Sequence, residues 1–217
     1  MVAAPLLSAD AIAEITASVG AQIAVDISTE VAQLTRQHFS NMMNSFYSDS
    51  LRKLTEEISR DGGHGLEGFG WRLSIADIGE SGGFSAFAGY QRVITVIKGA
   101  GMVLTVDGEE QRGLLPLQPF AFKGDSQVSC RLITGPIRDF NLIYSPERYH
   151  ARLQWMDGVQ RFFSTAQTVL VFSVADEVKV LDQKLGHHDC LQIDGNTGLL
   201  DVSVAGRCCI IELTQRG

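Results

Sequence analysis

Four arginines lie on or beside stretches that alternate with the period of a β-strand: Arg72, Arg92, Arg131 and Arg138. In residues 71–76 the alternation puts Arg72, Ser74 and Ala76 on one face and Trp71, Leu73 and Ile75 on the other. A guanidinium on an inward face costs free energy unless a carboxylate or a ligand answers it. Two arrangements meet that demand. In one, Arg72 and Asp139 form a structural ion pair that pins strands and Asn141 caps a turn. In the other, arginine provides its bidentate fork to a small carboxylate-bearing metabolite at a barrel mouth. The second arrangement predicts a binding set of Trp71, Arg72, Tyr90, Arg92, Phe120, Arg138, Asp139 and Asn141. Arg72 and Arg138 are the expected anchors, and Trp71 and Phe120 the expected walls.

Other chemistries find less support. The sequence has one His/Cys cluster, His187-His188-x-Cys190, with Cys208-Cys209 downstream. Alternation can bring His188 and Cys190 to one face, which would allow a metal site. The plainer reading is a turn with two exposed histidines and cysteines buried as small hydrophobes. There is no Gly-x-Ser-x-Gly elbow and no Cys with a His partner in a recognisable motif. Gly79 to Gly83 and Gly99 to Gly101 lack a following Lys-Ser/Thr and a helix, so they read as turns rather than phosphate loops. No catalytic residue, metal ligand or cofactor is expected from these patterns.

A net charge of −7 and a pI near 5.2 argue against nucleic acid, which needs a basic footprint. A local arginine cluster can still invert the field in one cleft. No apolar run approaches the length of a membrane span, and the N-terminus lacks a positive region ahead of its short apolar stretch, so a cytoplasmic protein with reduced thiols is expected. A homo-oligomer is compatible with these features.

The elements that must position the arginines are strands. Residues 1–60 have a different texture: Ser8 can cap a helix over residues 9–18, and Val31, Leu34, Phe39, Met42, Phe46, Leu51, Leu54 and Ile58 recur at mostly helical steps. This segment is expected to be helical, packed on the β domain or serving as a partner-binding or dimerising arm. Asp61-Gly62-Gly63-His64-Gly65 is a joint, after which short strands follow one another with turns between them. Residues 91–97 and 102–106 are β-rich, and Asp107-Gly108 is a hairpin turn. Residues 114–122 hold two prolines and read as an edge strand or a connection. A second set of strands begins near Ala151. Such a chain is a jelly roll, a sandwich or a barrel.

Three stretches together resemble the HutD/Ves family. The first is Trp71-Arg72-Leu73-Ser74-Ile75-Ala76 with Gly83-Phe84-Ser85-x-Phe87-x-Gly89-Tyr90-x-Arg92. The second is Gly99-x-Gly101 with Asp107-Gly108. The third is Pro116-Leu117-x-Pro119-Phe120-x-Phe122-x-Gly124-Asp125, closing with residues 135–142. They cover residues 71 to 144. The resemblance implies an all-β bicupin, a double-stranded β-helix of the RmlC-like jelly-roll type. Its halves would be residues 61–150 and 151–217, packed as one unit behind the helical segment 1–60. The family's N-terminal Trp-x-Asn-Gly-Gly-Gly-x-Thr-x-Glu pattern has no such run in residues 1–60; Asp26 to Val31, with Thr29 and Glu30, is the candidate remnant. A metal cupin would carry histidines and a glutamate near residues 84–92, where this chain has Phe87, Tyr90, Gln91 and Arg92.

The expected function is therefore metal-independent binding of a small molecule. The resemblance implies a sensor or regulator linked to histidine utilisation or to stress response. Two alternatives stand beside it. One is a metal-independent isomerase or epimerase, drawing its acid and base from His64, His150, His187 or His188. The other is an interaction protein assembled through the N-terminal helices.

Overall fold

Alternating and β-branched stretches become strands throughout the part of the chain that the computed structural model describes, residues 54–217. The first half contains β1 (Leu54–Arg60), β2 (Trp71–Ile78), β3 (Gly82–Gly83), β4 (Gln91–Lys98), β5 (Met102–Val106), β6 (Glu109–Glu110), β7 (Phe120–Lys123), β8 (Val128–Leu132) and β9 (Ile137–Tyr144). The second half contains β10 (Tyr149–Met156), β11 (Val159–Ser164), β12 (Thr168–Ser173), β13 (Val178–Val180), β14 (Gln183–Leu185), β15 (Cys190–Ile193), β16 (Leu200–Ala205) and β17 (Cys208–Gln215). All regular elements among the described residues are strands, and none of these residues forms a helix long and apolar enough to cross a membrane.

The strands make four antiparallel sheets. Sheet order is β1-β2-β9-β4-β7 and β3-β8-β5-β6 in the first half, β10-β17-β12-β15 and β11-β16-β13-β14 in the second. Three apolar layers hold them together. One lies within the first half, where Ile78, Ile94 and Val96 meet Met102, Leu104, Val128 and Cys130. One lies within the second, where Val169, Val171, Cys208 and Ile210 meet Val178, Val202 and Val204. Between the halves, Trp71, Leu73, Ile75, Phe140 and Leu142 pack on Leu170, Phe172, Cys209, Ile211 and Leu213. Strands β12 and β17 are thus buried on both faces, which is why they read as unbroken apolar runs rather than as alternations.

That geometry explains the neighbouring Cys208 and Cys209. They point to opposite sides of β17, one into the second half's core and one into the layer between the halves. All four cysteines are free. Burial pushes the Cys208 thiol up to about 11 and Cys190 up to about 12, so neither is a thiolate near neutral pH.

The turn at Asp107-Gly108 joins β5 to β6 with both residues at positive φ, 51° and 87°, as a two-residue hairpin of the mirror-image type requires. Of residues 114–122, expected to be an edge strand or a connection, Phe120–Phe122 lie in β7, the last strand of its sheet, and both prolines lie in the connection before it.

One expectation needs correction. Leu54 and Ile58 were grouped with the helical segment, but they belong to β1, which pairs antiparallel with β2. Their four-residue spacing suits one face of a helix and one face of a strand alike, so it does not tell the two apart. The rest of the helical segment lies outside the described residues.

Candidate functional site

Register, not sequence proximity, assembles the site. On the inner face of the first half's large sheet, cross-strand partners line up in rows. One row runs Arg60, Arg72, Ile143, Arg92, Phe122, crossing β1, β2, β9, β4 and β7. The next runs Glu57, Ser74, Asn141, Ile94, Phe120, and a third runs Thr55, Ala76, Asp139, Val96. Three arginines therefore share a row, with polar groups in the two rows beside them. The equivalent interior of the second half is aliphatic.

Arg92 is 5% exposed, although it carries a charge. Its Nη2 donates to Asn141 Oδ1 at 2.7 Å and its Nη1 to the Ser85 carbonyl at 3.0 Å. Its Nε is buried with no hydrogen-bond partner. The guanidinium carbon lies 5.4, 5.3 and 5.1 Å from the ring centres of Phe84, Phe87 and Phe122. Asn141 Nδ2 in turn donates to Asp139 Oδ1 at 3.0 Å, and Asp139 is fully buried. Burial draws Arg92 down to about 10; the Asp139 carboxylate resists this and the Arg72 charge adds to it. Arg92 remains a cation at neutral pH.

Arg72 is answered differently. Its Nε donates to Glu57 Oε2 at 2.7 Å, and Arg60 closes on the same carboxylate with two hydrogen bonds. The hydrogen bonds from Arg60, reinforced by Arg72, hold the Glu57 carboxyl below the usual carboxylate range despite partial burial. The pairing of Arg72 with Asp139 considered from sequence is not the one formed.

The loop of residues 84–90 closes over this face. Phe87 N donates to the Gly124 carbonyl at 2.8 Å, Gly124 N donates to the Tyr90 carbonyl at 2.7 Å, and Gly89 N donates to Asp125 Oδ1 at 3.1 Å. A Cβ on Gly124 would lie 2.2 Å from the Phe87 carbonyl oxygen. Gly124→Ala should therefore destabilise the fold by about 2 kcal/mol in urea titration. Gly113→Ala, whose Cβ would meet nothing closer than 3.7 Å, should stay within about 0.5 kcal/mol of the parent. Equal effects would contradict this account of the loop.

The eight residues expected to bind are divided by the fold. Arg72, Arg92, Asp139 and Asn141 share the inner face, and Phe120 flanks them beside Ile94, its ring 6.2 Å from Phe122. Tyr90 caps the row, donating its hydroxyl to the Phe69 carbonyl at 2.9 Å. Trp71 and Arg138 do not belong with the others. Trp71 is 2% exposed in the layer between the halves. Arg138 precedes Asp139 and so faces the other side, where it makes a bidentate pair with Asp77 at 2.7 and 2.6 Å. Both lie on the sheet face opposite Arg72, where each lines a cleft. Glu57, Phe84, Phe87 and Phe122 were missed. Glu57 did have a signal: Thr55-Glu56-Glu57 matches the Thr-x-Glu end of the family's N-terminal pattern better than Thr29 and Glu30 do.

Among the described residues no three His, Cys, Asp or Glu side chains are grouped to hold a metal ion. His187 and His188 lie against each other with ring centres 3.9 Å apart, and His188 stacks on Phe172. Two clefts flank the layer between the halves. One, of about 470 Å³, is lined by Arg60, Trp71, Tyr149, Gln192 and Asp194 among others; the second, of about 390 Å³, has Glu56, Asp77 and Arg138 in its wall.

The sequence profile of the HutD family matches residues 53–210. An uncharacterised 21.2 kDa protein of the hutC 3′ region of Pseudomonas putida is 61% identical over 167 residues, covering 75% of this chain and 88% of that protein. A structure of HutD from Pseudomonas fluorescens SBW25, obtained in a formate condition, is 91% identical, with a TM-score of 0.71 over 75% of this chain and 89% of the other. A conserved protein of unknown function from Pseudomonas aeruginosa PAO1 is 52% identical, with a TM-score of 0.70 over 74% and 88% of the two chains. The profile match begins beside β1, so β1 and its Glu57 fall within the matched region. The chain belongs to the HutD family and has an all-β, cupin-like fold.

Proposed function

We propose that this chain is a metal-independent, small-molecule-binding bicupin whose ligand is a carboxylate held by Arg92 inside the first jelly roll. The observation that carries the reading is a buried guanidinium whose Nε has no partner, set among three phenylalanine rings. An orphaned buried donor costs about 1–3 kcal/mol, and a carboxylate is the group whose geometry answers Nε and an Nη together. Asn141 and Asp139 support the cation from one side, and Phe84, Phe87 and Phe122 exclude water from the others. The inward positions of β4 are Arg92, Ile94 and Val96, which offer no imidazole or carboxylate to a divalent ion.

Family membership and the hutC-region name of the Pseudomonas putida relative favour a role as a cytoplasmic metabolic sensor or regulator in histidine utilisation. Formate is a natural first probe, given the condition used for the Pseudomonas fluorescens protein. Thermal denaturation should be followed with formate, acetate, butyrate and carboxylates derived from histidine. A true ligand at a hundredfold excess over Kd should raise Tm by roughly 5–10 °C. Arg92→Gln should abolish that rise. No rise with any carboxylate, or the same rise in Arg92→Gln, would refute the proposal.

A further inference from the structure

The arginines of the shared row are not equivalent. Arg60 and Arg72 both direct hydrogen bonds to the Glu57 carboxylate. The two hydrogen bonds of Arg92 go to neutral oxygens, those of Ser85 and Asn141. Arg72 and Arg92 are separated in their row only by Ile143, so their Cα atoms are two strand spacings apart, about 10 Å. Arginine side chains of that reach, rising from the same face, can converge on one dianion of a few carbons. They do not stand equally available, because Glu57 already holds Arg72 through its Nε.

The geometry points to Glu57 as the residue that sets the charge of the ligand: it is a built-in carboxylate on Arg72, which leaves Arg92 to select a monocarboxylate over a dicarboxylate. This rests on the carboxylate-binding reading above. A dicarboxylate would have to displace Glu57 from Arg72 and leave it with Arg60 alone. A monocarboxylate has no such competitor. Glu57 comes from β1, the edge strand of its sheet and the first described element of the chain. Its selectivity is thus imposed by a strand separate from the one that carries Arg92.

Butyrate and succinate have the same four-carbon chain and differ in one carboxylate, so their affinities isolate the effect. Isothermal titration of the full chain should give butyrate at least about tenfold tighter binding than succinate, and Glu57→Gln should reverse the order. The double variant Glu57→Gln/Arg72→Gln should restore the parent preference, because the freed guanidinium is then gone. Arg72→Gln alone should keep butyrate binding within about twofold, since Arg72 is not offered to the ligand. That last measurement also decides the matter if Glu57→Gln fails to fold: a tenfold or greater loss of butyrate affinity in Arg72→Gln would overturn the inference. So would butyrate binding to the parent with an unchanged butyrate-to-succinate ratio in a folded Glu57→Gln. If the parent bound no carboxylate at all, the carboxylate-binding reading would fail first and this inference with it.

Discussion

Arg92→Met should lower the free energy of unfolding by about 3–5 kcal/mol at neutral pH, the usual cost of removing one partner from a buried charged network. The methionine side chain has similar length, so the effect is electrostatic rather than a cavity. It leaves Asp139, fully buried, and Asn141, 4% exposed, without the cation that Asn141 links to Asp139. Asp139→Asn should cost a similar amount for the mirror reason, because Arg92 then keeps its charge without the nearby carboxylate that sustains it. The double variant Arg92→Met/Asp139→Asn removes both charges together. It should be about 2–3 kcal/mol more stable than the sum of the two single losses predicts, the coupling between the sites. Urea titration of the four proteins measures this directly. Additive losses would mean that Arg92 and Asp139 do not act as one network. The double variant should fold and yet bind no carboxylate, which separates a stability role from a binding role.

The parts of this site that a sequence reader can see are set by local periodicity. Alternation in β2 puts Arg72 opposite to Trp71, as the structure has it. The same rule applied to residues 138–141 would have separated Arg138 from Asp139 and Asn141. Placing Arg138 and Trp71 in one set with Arg72 joined residues from opposite faces of the sheet. The rest was not legible, because Arg92 meets Asn141 across 49 residues of chain, and nothing local specifies which strands are neighbours. Strand β1 was not legible because Leu54 and Ile58 stand four residues apart, a spacing that one face of a helix and one face of a strand share. With it went Glu57, whose place beside Arg72 depends on β1 pairing with β2. Strands such as β12 were plain, since a β-branched, apolar run bounded by polar turns has few other uses. That these runs are buried on both sides, between the two halves, needed the structure.

Phe140→Ala should cost about 3–5 kcal/mol and should destabilise both halves together. Phe140 is fully buried, stacked on Phe172 of the other half with ring centres 4.8 Å apart and edge-on to Trp155 at 5.8 Å. Its loss therefore opens a cavity in the layer shared by the two halves, not in the core of either one. If that layer couples the halves, each unfolds only when the other does. The buried cysteines report on this without added probes. Cys130 belongs to the core of the first half and Cys208 to that of the second. Thiol labelling across a urea series, read by mass spectrometry, should give one midpoint for both cysteines in the parent. In Phe140→Ala both midpoints should fall by the same amount. A midpoint for Cys130 that moved while that of Cys208 stayed would show two independent units. The shared aromatic layer would then be a contact surface between finished domains rather than part of what folds them.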